Sequence, residues 1–241
     1  MPPKSLEFSI YSDKQESVRI MFDGIAHRYD LLNHVLSSGF DIFWRKKAIK
    51  LLRKASPQTI LDVATGTADF AIEAAKRLDA RIIGIDLSEQ MLQRGTQKVR
   101  RQKLESRITL EQGQAEALRF KNDCFDAVTV AFGVRNFANI ERGLAEMFRV
   151  LRPGGTALVL EFSKPRTFPF KQLYRFYFHN ILPAIGGYVS SRKEPYQYLP
   201  DSVEGFPDSK NFLVLLQNAG FTQTRQRVLT FGIATIYMGT K

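Results

Sequence analysis

The stretch ILDVATGTADF, residues 60–70, decides the fold of this 241-residue chain. It begins as a short, mainly apolar run, passes through a turn of Thr, Gly and Ala, and continues with apolar residues at helical spacing. This pattern predicts a buried strand, a tight turn and a helix that begins at the turn. The first backbone N–H groups of such a helix have no partner within it, so a ligand can approach them closely.

The residues of the turn favour one kind of ligand. Asp62, Ala64, Gly66 and Ala68 stand at alternate positions, which is neither the glycine pattern of dinucleotide-binding proteins nor a phosphate loop with its lysine. Without a basic residue the turn is unsuited to a pyrophosphate, whereas its early aspartate favours a cationic or hydroxyl-bearing ligand such as S-adenosylmethionine. Asp86 lies in the next apolar run, about 20 residues further on, where nucleotide-binding folds place a carboxylate against ribose. An ordinary strand–helix turn without a ligand is the alternative.

Composition and charge limit the class of protein. With 44% hydrophobic and 24% charged residues the chain can bury the core of one α/β domain. The N-terminal MPPKSLEFSI has no apolar run of the signal-peptide type, and the single cysteine, Cys124, suits a reducing compartment, so we expect a cytoplasmic protein. The net charge of +11 predicts an anionic partner, either nucleic acid or an acidic membrane surface, unless the charge only maintains solubility.

Predicted strands and helices alternate along the chain. We expect strands at 59–65, 81–87, 108–112, 125–132 and 156–162. We expect helices at about 14–28, 68–78 and 209–219. Three more helices are expected: one that begins at an N-cap at Asp41, one that begins at a cap at Ser88, and one that runs from 140 to a stop at Pro153-Gly154-Gly155. The runs 222–230 and 232–239 adjoin without room for a crossover helix, which predicts an antiparallel hairpin at the edge of the sheet. Five parallel strands closed by a hairpin predict the Rossmann-like α/β fold of class I S-adenosylmethionine-dependent methyltransferases, with a seven-stranded, mostly parallel sheet.

We expect a single domain over 1–241 with four parts. These are an N-terminal helical cap (1–56), a cofactor-binding core (57–163), an aromatic insertion that faces substrate and membrane (164–208), and the last helix with the closing strands (209–241). Between the first two helices, polar side chains are dense enough to suggest a lid or a substrate wall, although solvated surface is the alternative for each of them. They are His27, Tyr29, Asp30, Asn33 and His34.

Two long stretches resemble one family. MFDGIAHRYDLLNHVLSSGFDIFWRKKAI, residues 21–49, resembles the N-terminal signature of the ubiquinone/menaquinone biosynthesis C-methyltransferases. FGVRNFANIERGLAEMFRVLRPGG at 132–155, with LVLEFSKP at 158–165, resembles their second signature. The resemblance implies methylation of the demethylmenaquinol ring by S-adenosylmethionine to give menaquinol, the last step of menaquinone biosynthesis. Ring methylation of a polyprenyl benzoquinol in ubiquinone biosynthesis is the alternative.

The resemblance also implies cofactor positions. The Thr67 side chain would bind the cofactor, Asp86 would accept hydrogen bonds from the ribose, and Gln114 and Ala115 would lie against the adenine. Ala131 is a further cofactor position where relatives often carry serine, and Asp62 and Gly66 complete the set in the turn. Ala68 replaces the usual last glycine, which is tolerated if its φ is negative.

Methylation of a ring carbon beside a phenolic hydroxyl needs help from the protein. Such a hydroxyl, with a pKa near 10 by analogy with tyrosine, is mostly protonated at neutral pH. A base must therefore remove its proton, and a donor or cation must stabilise the oxyanion. The resemblance places Arg135 and Asn136 at the end of strand four, facing the substrate. Asp69 and either Tyr29 or His27 are candidate bases, and we favour Arg135 with Asp69, a structural salt bridge being the alternative for Arg135. No metal is required.

The tail of a polyprenyl quinol lies in the bilayer. The aromatic and basic stretch 168–188 suits peripheral contact with the anionic inner face of the cytoplasmic membrane, although core packing explains its aromatics as well. An RNA methyltransferase is a rival from another class. It is disfavoured because Phe-Gly-Val-Arg-Asn follows strand four and Cys124 lies in a loop before it, so we expect no nucleic acid. A binding module without activity is weaker still, and the sequence leaves a homodimer open.

Overall fold

A seven-stranded sheet forms the centre of the molecule in the computed structural model, which describes residues 4–29, 37, 39–176 and 194–241. Its strands are β1 (Thr59–Val63), β2 (Arg81–Asp86), β3 (Ile108–Gln112), β4 (Phe125–Ala131), β5 (Leu151–Phe162), β6 (Thr222–Leu229) and β7 (Ala234–Thr240). Their order in the sheet is β3-β2-β1-β4-β5-β7-β6. The first five strands are parallel, and β7 runs antiparallel to both β5 and β6. The predicted fold class is confirmed.

Helices cover both faces of this sheet. They are α1 (Lys4–Ile25), α2 (Phe40–Leu52), α3 (Asp69–Arg77), α4 (Glu89–Arg101), α5 (Ile140–Val150), α6 (Phe170–Phe176), α7 (Glu194–Gly205) and α8 (Lys210–Asn218). Successive residues of a strand point to opposite faces. Accordingly Ile60 packs in a core cluster with α2 and α3, whereas Leu61 packs in a second cluster with α5 and α8. Burial on both faces explains why the central strands β1 and β4 are mainly apolar, whereas β3, at the edge of the sheet, is largely exposed.

The structure corrects three local predictions. Helix α1 begins ten residues before the predicted start, at Lys4, because neither glycine nor proline interrupts 4–23. Asp41 is not the N-cap of α2: Gly39 has that position, and Asp41 lies buried in the first turn. Pro153-Gly154-Gly155 does not separate α5 from the strand, because β5 begins at Leu151 and these residues form a bulge within it. Gly154 takes a φ of +79°, which glycine adopts readily.

Parts of two predictions fall outside the described residues. Asp30, Asn33 and His34 of the predicted lid lie there, as does the part of the aromatic stretch from 177 onward. Within the described part of the chain, no helix combines the length and apolar character needed to cross a membrane.

Candidate active site

A crevice lies at the carboxyl edge of the sheet, beside the point where β1 is flanked by β2 and β4. Ligands bind at such switch points in open α/β sheets. The crevice has two parts, which we call the large lobe and the small lobe. The large lobe lies beneath α1 and is lined by residues that include Phe22, Asp86 and Asn136. The small lobe lies on the other side of the turn after β1. Tyr29, Ala64, Gly66 and Phe132 line both lobes, so the two lobes adjoin each other.

The carboxylate of Asp86 fixes the turn at the large lobe. Its Oδ2 accepts a hydrogen bond from the backbone N–H of Gly66 at 2.8 Å, and its Oδ1 accepts one from Ser88 N–H at 2.9 Å. Ser88 is the N-cap of α4, as predicted, with its hydroxyl accepting from Met91 N–H. Burial raises the pKa of Asp86 above its usual range. The structure therefore confirms the prediction that the Asp86 carboxylate lies beside the turn after β1.

Asp62 lies buried under the small lobe. The hydroxyl of Thr65 donates to its Oδ2 at 2.6 Å, and that of Thr129, on the neighbouring β4, donates to its Oδ1 at 2.7 Å. Burial raises the pKa of Asp62 to about 6, although both hydroxyls and the charge of Arg45 favour the ionised form. The side chain thus joins the turn to two strands and titrates close to neutral pH.

The turn itself is conformationally strained. Ala64, Gly66 and Ala68 take φ values of +54°, +57° and +65°, which is the left-handed region. The expectation that Ala68 is tolerated through a negative φ is wrong, and its methyl group carries a cost of the order of 1 kcal/mol relative to glycine. Helix α4 closes against the turn at Gly95, where an added Cβ would lie 3.2 Å from the carbonyl carbon of Thr67. The close approach of α4 at Gly95 to the backbone of Thr67 thus supports the conformation of the turn.

The remaining predicted cofactor residues lie in different places. Ala115 lines the large lobe, and Thr67 and Ala131 line the small lobe. The Thr67 hydroxyl accepts a hydrogen bond from Lys98 Nζ at 3.1 Å. Gln114 is exposed and borders a further groove, which adjoins the large lobe at Arg19, Leu87 and Gly113.

Arg135 lies in a buried ion pair. Its Nη1 lies 2.7 Å from Glu161 Oε1, and the two side chains are 7% and 0% exposed. The same nitrogen donates to the carbonyl of Phe132 at 2.6 Å. Arg135 is absent from the described lining of both lobes. This arrangement corresponds to the structural salt bridge that the sequence left open as its alternative role.

Asn136, in contrast, reaches the large lobe. The hydroxyl of Tyr198, on α7, donates to Asn136 Oδ1 at 3.0 Å. Burial raises the pKa of Tyr198, so this hydroxyl stays protonated at neutral pH. Sequence reasoning missed Tyr198, because it is one of many aromatics in its segment and its partner is 62 residues away.

The other candidate bases occupy distinct positions. Tyr29 lines both lobes, whereas His27 is exposed. Asp69 lines the small lobe from the first turn of α3, where its carboxylate pairs with Lys98 and lies 3.6 Å from Nη1 of Arg45. Arg45 was missed as a site residue, because it stands in a run of three basic residues, Arg45-Lys46-Lys47. Its spacing of four residues from Asp41 was the available signal for a buried pair.

Helix α1 roofs the large lobe. Lys14 Nζ donates to the carbonyl of Phe137 at 2.7 Å, Gln15 donates to Glu116 at 3.2 Å, and the Ser88 hydroxyl donates to Asp23 at 2.5 Å. Val18 and Phe22 face the lobe between these contacts. A ligand in the large lobe is thereby screened from water.

The family model described as the ubiE/COQ5 methyltransferase family matches residues 10–241. The chain belongs to this family. It is 48% identical to the ubiquinone/menaquinone biosynthesis C-methyltransferase UbiE of Geobacter sulfurreducens over 232 residues, covering 95% of this chain and 90% of that protein. It is 44% identical to the demethylmenaquinone methyltransferase of Porphyromonas gingivalis, covering 100% and 99% of the two chains.

Solved structures share the fold. A Thermotoga maritima S-adenosylmethionine-dependent methyltransferase, described as a possible histamine N-methyltransferase, superposes with a TM-score of 0.66 at 18% identity, covering 93% of this chain and 99% of that one. Phosphoethanolamine N-methyltransferase 2 of Haemonchus contortus, in complex with S-adenosyl-L-methionine, gives a TM-score of 0.60 at 14% identity, covering 81% and 52%. The chain is thus a methyltransferase with S-adenosylmethionine as its cofactor.

We predict a pH-dependent effect of Asp62→Asn. The folded-state pKa of Asp62, about 6, lies above the ordinary value of 3.8, so the folded protein binds the proton more tightly than the unfolded chain does. The stabilisation by this bound proton is complete below pH 4 and is lost as the pH rises through 6. Asparagine keeps the acceptor without the charge. The free energy of unfolding of the variant, minus that of wild type, should therefore rise by about 1.5 kcal/mol between pH 5 and 7.5.

Urea unfolding at the two pH values measures this difference. Asp79→Asn is the matched control, since the Asp79 side chain is fully exposed, and its difference from wild type should be flat. A flat difference for Asp62→Asn as well would contradict the prediction.

Proposed function

We propose that this chain transfers the methyl group of S-adenosylmethionine to the ring of demethylmenaquinol and so forms menaquinol, the last step of menaquinone biosynthesis. The observation that carries the proposal is 44% identity to a demethylmenaquinone methyltransferase over the full length of both chains. A polyprenyl benzoquinol is the second candidate acceptor, because the Geobacter relative is named for ubiquinone and menaquinone biosynthesis together.

The residues of the large lobe fit the adenosyl part of the cofactor. Asp86 is half-buried and borders the lobe, so its carboxylate can accept hydrogen bonds from ribose hydroxyls. Ala115 and Phe137 offer apolar surface to the adenine. The backbone of Gly66 permits close approach where a side chain would project into the lobe toward Tyr29. When bound, the cofactor supplies a methyl group on a sulfonium, which needs no further activation.

Asn136 is our proposed donor to the ring oxygen. Because the Tyr198 hydroxyl donates to Oδ1 of the amide, the two N–H donors of Nδ2 are left for the lobe that Asn136 lines. Donors held toward a developing oxyanion stabilise it without reorganisation. This favours the phenolate, whose charge activates the adjacent ring carbon.

Arg135 acts on this loop as a positioning residue in our proposal. Glu161 accepts from the guanidinium, and its carboxylate also accepts from the backbone N–H of Arg135 at 3.4 Å and of Phe162 at 2.8 Å. The buried pair therefore connects the end of β5 to the short helical turn Val134–Asn136. That contact fixes the direction in which the neighbouring Asn136 points.

The proton of the ring hydroxyl needs an acceptor near the junction of the lobes. Tyr29 borders both lobes, so we place it against the acceptor ring. Asp69 borders the small lobe alone, with Lys98 at its carboxylate. We therefore propose Asp69 as a proton acceptor through water and not by direct contact.

We further propose peripheral contact with an anionic membrane through a surface that we call the aromatic edge. It comprises Phe40, Phe43, Phe168, Leu173, Phe176 and Phe231, which are 48–80% exposed. The Trp44 indole donates to the Thr230 hydroxyl at 2.7 Å and so joins α2 to the β6–β7 turn. Phe170 stacks on Phe231 at 3.8 Å, which joins α6 to the same turn.

Charge and position favour a lipid surface as the occupant of the aromatic edge. Lys46 and Lys50, on the same helix as Phe40 and Phe43, and Lys54, in the turn that follows it, are exposed, and the whole chain carries +11. From the edge, Phe40 stacks on Trp44, and Trp44 contacts Phe132, which lines both lobes. Packed aromatic side chains thus link the aromatic edge to the wall of the crevice.

We also propose a division of labour within one domain. Residues 57–163 form the cofactor-binding core, 1–56 the helical cap, 164–208 the part that faces substrate and membrane, and 209–241 the closing elements.

Product analysis tests the function. The purified protein, given S-adenosylmethionine with a labelled methyl group and either demethylated prenyl naphthoquinol or the corresponding benzoquinol, should label the naphthoquinol ring carbon faster. Boiled protein is the control. Equal labelling of both quinols would contradict the preference for naphthoquinol, and label in neither would contradict the proposed function.

We predict that Tyr198→Phe lowers kcat about 10-fold, because the Asn136 amide loses the partner that orients it. The KM for S-adenosylmethionine and the dissociation constant for S-adenosylhomocysteine should change less than twofold. Tyr237→Phe is the matched control: its hydroxyl accepts from Ser209 N–H in the core at 2.7 Å, so it should lose roughly 1 kcal/mol of stability with kcat unchanged. Equal kcat values for Tyr198→Phe and wild type would contradict the proposal that Tyr198 orients Asn136 for catalysis.

Liposome flotation tests the aromatic edge. The pair Phe43→Gln and Phe231→Gln should reduce the fraction that floats with vesicles containing anionic lipid at least threefold, since two exposed rings no longer insert. Val214→Gln is the control, because Val214 is 50% exposed on α8, on the other face of the sheet. Wild-type protein that stays with the aqueous phase would exclude this surface as a membrane contact.

A further inference from the structure

Arg45 is a buried cation with spare hydrogen-bonding capacity. Its side chain is 9% exposed. Nη1 donates to Asp41 Oδ2 at 2.6 Å and lies 3.6 Å from Asp69 Oδ2, and the guanidinium carbon lies 6.0 Å from the centre of the Phe132 ring. A guanidinium has five N–H donors. Among the described residues Arg45 makes one hydrogen bond, which leaves most of its donors for a further partner.

The position of Arg45 indicates where that partner lies. The side chain lines the small lobe together with Gly66, Thr67 and Ala131. Of the described residues that line this lobe, Arg45 is the one cation. The small lobe adjoins the large lobe at Gly66, so a cofactor whose ribose lay at Asp86 would have the small lobe next to it, on the far side of Gly66. The part of the cofactor that lies beyond its ribose is the methionine moiety.

We infer that Arg45 binds the α-carboxylate of the methionine part of S-adenosylmethionine. Two planar groups, a guanidinium and a carboxylate, match in geometry and charge. The lobe also contains the carboxylates of Asp62 and Asp69, which suit the α-ammonium group of the same moiety. The small lobe thus presents one cation and two carboxylates to a zwitterion.

The surroundings of Arg45 hold it ready for this role. Asp41, 2% exposed, fixes one end of the guanidinium and is itself held by the Ser37 hydroxyl, which donates to Oδ1 at 2.8 Å. Trp44 and Ala48 are buried on the same helix, so Arg45 belongs to the side of α2 that packs against the core. Arginine is therefore fixed before the ligand arrives, which lowers the entropic cost of binding.

Calorimetry with two ligands tests the inference. S-adenosylhomocysteine contains the amino acid part, whereas 5′-methylthioadenosine has the same nucleoside thioether without it. Arg45→Met should weaken S-adenosylhomocysteine about 30-fold, the value of a charge-assisted pair, and should change the affinity for 5′-methylthioadenosine less than twofold. Arg45→Lys, which keeps the charge without the planar fork, should fall between.

Two further variants separate binding from folding. Asp41→Asn combined with Arg45→Met removes the buried pair together, so no uncompensated aspartate is left, and it should show the same selective loss. Lys76→Met, in the outer cleft beside Arg45, should leave both affinities unchanged.

Two results would overturn the inference. An equal loss for both ligands would make Arg45 structural. Unchanged affinities with a raised KM for the quinol would make the ring oxygen its partner. Since both ligands derive from the cofactor, the outcome does not depend on which quinol is methylated.

Discussion

The hydrogen bonds from Gly66 and Ser88 to the Asp86 carboxylate are the contact on which the rest of the site depends. One side chain, at the end of β2, holds both the turn after β1 and the start of α4. Without the Asp86 carboxylate, the left-handed turn would have no hydrogen-bond partner on the side of the crevice, since Gly95 contacts the turn from the side of α4. The same carboxylate borders the large lobe, so the group that shapes the crevice is also the one available to its ligand.

Carboxylates that are buried or half-buried recur at the strand ends around this edge. Asp62, Asp86 and Glu161 stand at β1, β2 and β5, and burial raises the pKa of each. A buried charge opposes folding unless hydrogen bonds compensate it. Each of the three accepts at least two such bonds from residues of the loops or neighbouring strands. Burial of these carboxylates thus lowers the stability of the fold, and their hydrogen bonds fix the positions of the loops relative to the sheet.

Local patterns predicted the parts of the molecule that depend on neighbours in sequence. The strand–turn–helix at 60–70, the cap at Ser88 and the closing hairpin follow from spacing, capping and loop length, and all three are present. Ala68 was misjudged because the sign of its φ is imposed by packing around the turn. The bulge in β5 was missed because proline and glycine ordinarily end an element, whereas here β4 pairs on both sides of them.

Site residues escaped prediction where their partners are distant in sequence. Tyr198 was missed because its partner Asn136 is 62 residues away. Arg135 was predicted as a site residue, but its ion-pair partner Glu161, 26 residues away, was not. Neither pairing produces a periodic pattern in the sequence, because β4, β5 and α7 come together only in the folded structure. Arg45 differs, since its partner Asp41 is one helical turn away. Its basic neighbours concealed that signal, and burial was needed to reveal it.

The two sides of the crevice differ in what covers them. Helix α1 covers the large lobe through contacts of Lys14, Gln15 and Asp23 with the core, on the side where Asp86 lies. On the side of α2, the rings of Phe40, Trp44 and Phe132 pack in series between the aromatic edge and the lobes. Trp44 is 1% exposed, so these rings belong to the packed core. If the aromatic edge lies on a membrane, as we propose, then α2 and not α1 is the helix that stands between the bilayer and the crevice.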